Sequence, residues 1–174
     1  MAAVTVHYGS YITIQKDSSP GLEFLQAFLT ACDSLDIHGH GVLSDHLLHH
    51  DATFAVNNGP AVKRDQVLHM LAMRSTKVAK FGHDVHTAWD VAKDDGGRTV
   101  MYESTSFTVL KDDPEGVEVR VNEFSVIEIS RSEGGQFQAV ELRTYMDPAP
   151  VSSRAQQLVM GKMEQGNKAP GMGI

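Results

Sequence analysis

From about residue 79 the hydrophobic pattern of this chain changes period, and that change constrains the fold more than any other feature. Apolar residues then alternate with polar ones through four long runs, 79 to 92, 98 to 111, 117 to 130 and 136 to 147. A period of two is the mark of a pleated strand with one buried face. The separators "KDDGG", "KDDPEG" and "SRSEGG" are rich in residues that suit short hairpins. Four strands joined this way form an antiparallel meander.

Upstream, the spacing is helical. "SPGLEFLQAFLTACDSLD" predicts a helix, with Ser18 or Ser19 as its cap and Pro20 in the first turn. Leu22, Leu25, Phe28, Leu29, Cys32 and Leu35 form its apolar face. Gly39 and Gly41 break the chain before a second short helix, about 42 to 50. "ATFAV" is a strand, "NNGPA" a turn, and "KRDQVLHMLAMRSTK" a third helix with Val67, Leu68, Leu71 and also Met70 as inward candidates. Residues 4 to 15 read as a short strand or an extended arm, and 150 to 165 as a further helix.

The predicted organisation is an arm (1–18), a central domain (19–150), and a carboxy-terminal helix with a flexible tail (151–174). The expected class is α+β, with three amino-terminal helices on a strongly curved, mainly antiparallel sheet. Such a sheet forms a cone-shaped barrel, and its mouth is a natural small-molecule pocket.

A length of 174 residues suits one core. The net charge of −7, without a basic cluster, argues against a nucleic-acid partner. No apolar run approaches the roughly 20 residues of a membrane span, and the amino terminus does not read as a secretory signal. Cys32 is the only cysteine, so no internal disulfide forms, which fits a reducing, cytoplasmic setting.

Five of the nine histidines fall in "HGHGVLSDHLLHHD". His46 and His50 stand four apart on the predicted second helix, a spacing zinc sites use. The zincin pattern would need a Glu after the first His, where Leu47 stands. The stretch therefore reads as a His-rich short helix, and no metal is expected.

A sharper signal lies in "VEVRVNEFSVIEIS". One face runs Val117, Val119, Val121, Glu123, Ser125, Ile127, Ile129. A carboxylate and a hydroxyl interrupt an apolar stripe, and register turns Glu123 inward with them. Burial raises the proton affinity of a carboxyl group towards the range useful to a general acid or base. His83 and His86 have an odd separation, so one of them lines the pocket unless a bulge intervenes. His83 falls with Phe81, Val85 and Trp89. Tyr102 and Glu103 are opposite-facing alternatives on the next strand. Asp36 closes the first helix, where it could pair with a pocket histidine and set its tautomer. Phe54, Trp89 and Val121 are expected on the apolar wall.

The order of these pieces resembles the nuclear-transport-factor-2-like superfamily, in its SnoaL-like and scytalone-dehydratase-like branch. The resemblance covers roughly residues 20 to 150. It is carried by "ACDSLD", "LLHHDATFAV", "GPAVKRDQV", "GHDVHTAWDV" and "NEFSVIEI…GGQFQAVELRTYMDPAP". It implies a cone-shaped α+β barrel, commonly a homodimer, with a deep pocket and chemistry without metal or organic cofactor. By position, Asp36 matches the dehydratase aspartate that pairs with a pocket histidine, and His83 matches that histidine. Glu123 and Ser125 match pocket-facing positions. The dehydratase's two water-binding tyrosines are not matched: Leu35 stands at the first position, and the second falls near Asn57 and Asn58. Thr144 stands where limonene epoxide hydrolase carries its last-strand aspartate.

The resulting expectation is a cofactor-independent enzyme of natural-product metabolism. It would dehydrate, isomerise or cyclise a small apolar substrate, using Glu123, His83 and Asp36. Tyr102, Ser125, His86, Trp89, Phe54 and Val121 would contact the substrate. The alternative is a non-catalytic binding or dimerisation module on the same fold.

Overall fold

The computed structural model describes residues 3–166. Seven strands form one sheet in the order β1-β4-β5-β6-β7-β2-β3. They are β1 (Val4–Tyr8), β2 (Leu48–Val56), β3 (Val62–Lys63), β4 (Val78–Ala92), β5 (Arg98–Leu110), β6 (Glu118–Arg131) and β7 (Phe137–Met146). The four predicted strands of the meander are β4 to β7, each found within about a residue of its expected ends. All pairings are antiparallel except that of β2 with β7. The architecture is the expected α+β class, but β1 and β3 remain edges and the sheet does not close into a barrel.

The helices are α1 (Pro20–Asp33), α2 (Ile37–Val42), α3 (Arg64–Lys77) and α4 (Ala149–Gly166). Ser19 caps α1 by accepting the Leu22 N–H, and Pro20 opens its first turn without losing a hydrogen bond. Leu22, Leu25, Phe28 and Leu29 are at most 2% exposed and seat α1 on the inner face of the sheet. Around them lie Val85, Ala88, Val100, Tyr102, Ile127 and Ile129. Among the described residues no helix is long and apolar enough to cross a membrane. The tail after Gly166 lies outside the described residues, and with it the expectation of flexibility.

Two helix expectations are corrected. The second helix does not span 42 to 50: α2 ends at Val42, a π-helical turn follows over Leu43–Leu47, and β2 begins at Leu48. Leu43, Leu47 and Leu48 are all buried, so this turn still packs on the core although it is not a regular helix. On α3, Val67, Leu68 and Leu71 pack against the core, whereas Met70 faces solvent.

One charged clamp fixes α1 to the sheet. Asp90 on β4 is fully buried; its Oδ2 accepts the Gly21 N–H at 2.9 Å, and its Oδ1 accepts from Arg98 Nε at 2.6 Å. The contact needs glycine, since a Cβ at position 21 would lie 2.3 Å from the Asp90 carboxyl group. The register of β4 against β5 shifts between Val85 and Thr87, a bulge centred on His86.

Candidate active site

Three ionisable side chains from three elements meet on the inner face. Asp33 is the last residue of α1, which stops there because Ser34 turns extended, with ψ 130°. His83 projects from β4 below it. Glu123 projects from β6, directly opposite Ser104 of β5. His83 Nδ1 lies 2.5 Å from Asp33 Oδ1, and His83 Nε2 lies 3.0 Å from Glu123 Oε1. The imidazole is thus clasped at both nitrogens. The exposures of the His83, Asp33 and Glu123 side chains are 10%, 13% and 5%, so water screens the trio little.

Supporting bonds hold each member. The His83 backbone N–H donates to Asp33 Oδ2 at 3.0 Å, and the Tyr11 hydroxyl donates to the same oxygen at 2.9 Å. Ser104 Oγ donates to Glu123 Oε1 at 2.9 Å. Behind Asp33, Arg74 of α3 stacks 4.0 Å over the Phe81 ring and donates to the Cys32 carbonyl. The Phe81 ring meets His83 edge-on at 5.1 Å.

Burial alone would strip the proton from His83. Hydrogen bonds and charge from Asp33 and Glu123 outweigh that effect and raise its pKa to about 9. At neutral pH His83 is therefore an imidazolium between two carboxyl groups. Burial, and then the Glu123 charge, push the Tyr102 phenol well above its ordinary value, while Ser125 opposes them. Tyr102 is a neutral donor. Burial likewise pushes the Cys32 thiol up to about 12, so it is not a thiolate nucleophile.

The site differs from the sequence expectation at several residues. Asp36 does not pair with His83: it lies beyond the end of α1 and caps α2, accepting the Gly39 N–H at 2.8 Å. Asp33 takes the place beside the histidine. Trp89 does not share the His83 face, because the bulge at His86 reverses the alternation. Ala88 and Asp90 are buried inside, and Trp89 lies between Val6 and Met101 on the outer face. His86 is also outside, exposed, with its ring bonded to Thr105 Oγ1 at 2.8 Å. Tyr102, Ser125, Val121 and Phe54 are buried on the inside. Ser125 Oγ shares a 2.8 Å hydrogen bond with Thr144 Oγ1.

Glu123 carried a sequence signal. Asp33 carried a partial one, since it follows Leu29 by one helical turn. Tyr11, Arg74 and Ser104 carried none, being brought in from the arm, from α3 and from a serine-threonine strand.

His46 and His50 no longer share a helix. Instead His49, His50 and Asp51 cluster on β2, with ligating atoms within 4.8 Å of one another. His50 and Asp51 are 71% and 78% exposed and already paired at 3.0 Å. The cluster lies beyond β5, β6 and β7 from His83 and adds nothing to the site.

No protein-family model matches the chain, and no curated protein matches it. Solved structures do match in fold. One, from Jannaschia sp. CCS1, is assigned as a SnoaL-like polyketide cyclase; it is 15% identical, with TM-score 0.59, over 80% of this chain and 96% of that one. Another, from Novosphingobium aromaticivorans DSM 12444, is assigned as a scytalone dehydratase; it is 10% identical, with TM-score 0.61, over 72% and 80%. ActVI-ORFA from Streptomyces coelicolor is 17% identical, with TM-score 0.53, over 72% and 93%. The chain shares its α+β fold with these solved structures.

Proposed function

We propose that the chain is an acid-base enzyme of natural-product metabolism, acting on a small, largely apolar substrate by dehydration, isomerisation or cyclisation. The observation that carries this reading is the continuous Asp33–His83–Glu123 chain of short contacts in a buried place. Structural neighbours assigned as polyketide cyclase and scytalone dehydratase support it at the level of fold.

The chemistry follows from the bonding. Glu123 Oε1 is engaged by His83 and Ser104, which leaves Oε2 for the substrate. As a base, Glu123 removes a proton from carbon next to a carbonyl. On substrate binding the imidazolium Nε2–H turns from Glu123 Oε1 to the substrate oxygen that gains charge or leaves as water, and gives up its proton there. The Glu123 carboxyl group is now protonated and His83 neutral. Once the carboxyl group turns its protonated oxygen to Nε2, the proton passes back to His83, and the site is restored without an outside acid. Asp33 holds the imidazolium upright and stabilises its charge. Tyr102 and Ser125 offer further donors. We propose that no metal or organic cofactor takes part, and that the enzyme works in the cytoplasm as a homodimer. A groove of about 380 Å³, lined by His86, Glu103, Phe124 and Tyr145 and also by Ser104 and Glu123, is where we place the partner copy. Sedimentation of a Tyr145→Glu variant tests it: a wild-type monomer sinks the dimer.

The direct test is proton exchange in D₂O at carbon next to the carbonyl of cyclic ketones and β-hydroxyketones, followed by NMR. Wild type should catalyse exchange. Glu123→Gln and His83→Ala should each slow it by about 10²–10⁴-fold. Equal rates in all three proteins would reject the enzyme.

One observation favours a second reading, a non-catalytic binding module: both nitrogens of His83 are occupied, as in a structural ion pair. In that case Glu123→Gln should lower the melting temperature and leave any ligand chemically unchanged.

A further inference from the structure

The amino-terminal arm delivers a group that the chemistry above does not use. β1 pairs with the upper half of β4, and the chain then turns through a 3₁₀ helix, Tyr11–Thr13. Gln26 of α1 grips that turn: its Nε2 donates to the carbonyls of Tyr11, Ile12 and Ile14, each at 3.2 Å. Tyr11 is thereby held with 7% exposure, and its phenol points at Asp33.

We propose that Tyr11 is a positioning residue of this site: by donating to Asp33 Oδ2 it fixes the carboxylate against His83 and draws charge away from it, so that the imidazolium proton stays transferable. The proposal rests on the reading of His83 as a proton donor.

Asp33 is over-determined. Oδ1 takes the imidazole at 2.5 Å, while Oδ2 takes both the His83 N–H at 3.0 Å and the Tyr11 hydroxyl at 2.9 Å. The phenol therefore decides how much negative charge Oδ1 offers to the ring. A buried imidazolium held by two undiluted carboxylates would be a poor acid near neutral pH. A neutral O–H dipole aimed at one of them weakens that hold. Its bond is strongest after His83 has lost its proton, when the Asp33 charge is least compensated, so it favours the deprotonated state.

The other groups around His83 do not duplicate this role. Asp33 faces it from α1, and Glu123 from β6. Tyr102 and Ser104 approach from β5, and Ser104 donates to Glu123 rather than to Asp33. Arg74 of α3 acts through Cys32 and Asp33, as a permanent charge. Tyr11 itself stays protonated throughout the range in which His83 titrates, because burial and then the Asp33 charge raise its proton affinity.

The experiment is an NMR titration of the His83 imidazole in ¹⁵N-histidine protein. In Tyr11→Phe the midpoint should rise by on the order of half a pH unit, about threefold in the acid constant. Site-specific 3-fluorotyrosine at position 11, a stronger donor of nearly the same size, should move it the opposite way; that protein also serves if Tyr11→Phe fails to fold. A midpoint that stays put or moves in the reverse sense in the folded proteins overturns the proposal. The titration needs no substrate. Loss of the exchange reaction in wild type would sink the catalytic reading alone, and an unmoved midpoint would sink the role of Tyr11 alone.

Discussion

Two buried carboxylates on α1's side of β4 meet different cations. Asp90 is held by Arg98 and by the Gly21 N–H. Asp33 is held by His83. Both contacts are short and both lie under the same helix. Arginine keeps its proton at every pH a protein survives, so the Asp90 contact is a permanent clamp. Histidine loses its proton within reach of neutrality, and a second carboxylate, Glu123, waits on its other nitrogen. The pair teaches that burial of charge is not itself a sign of chemistry; the removable proton is.

The comparison can be broken in order of effect. Asp90→Ala should cost about 3–5 kcal/mol in urea denaturation, because it strands the Arg98 guanidinium. A cost below about 1 kcal/mol would mean the clamp is ornamental.

Stability as a function of pH comes next. The His83 pKa is raised from 6.5 to about 9 on folding, so its contribution is fully present below pH 6.5 and is lost as pH rises through 9. Wild type should lose on the order of 3 kcal/mol across that window. His83→Gln should show a flat profile there. The same titration bears on rate: catalysis that needs the imidazolium should decline above about pH 9.

Asp36→Ala removes the side-chain cap of α2. It should cost about 1 kcal/mol and leave the His83 titration unchanged. Smallest of all, His86→Ala should leave monomer proton-exchange rates within about twofold, since its ring bonds to Thr105 and not to the trio. A large fall in rate would put the working face of the sheet on the wrong side.

The sheet was legible because a period of two over four long runs has few alternatives, and Glu123 was legible because it breaks an apolar stripe that fixes its direction. Asp33 was misread as Asp36 for a local reason. Helical spacing continues smoothly to position 36, but Ser34 leaves the helix, and nothing in "DSLD" marks which aspartate is last. Trp89 was misplaced because a bulge has no side-chain signature of its own. Tyr11 and Arg74 reach the site from residues far apart in the chain, through contacts that only the folded core brings about.

The single extra residue at His86 has a further meaning for how this ribbon evolved or could be rebuilt. His83 and Asp90 are seven positions apart, an odd number, so on an uninterrupted strand they would point in opposite directions. The offset between Val85 and Thr87 cancels that parity. Deleting His86 would force a choice: the helix could keep its anchor, or the sheet its proton carrier, but one continuous strand could not serve both.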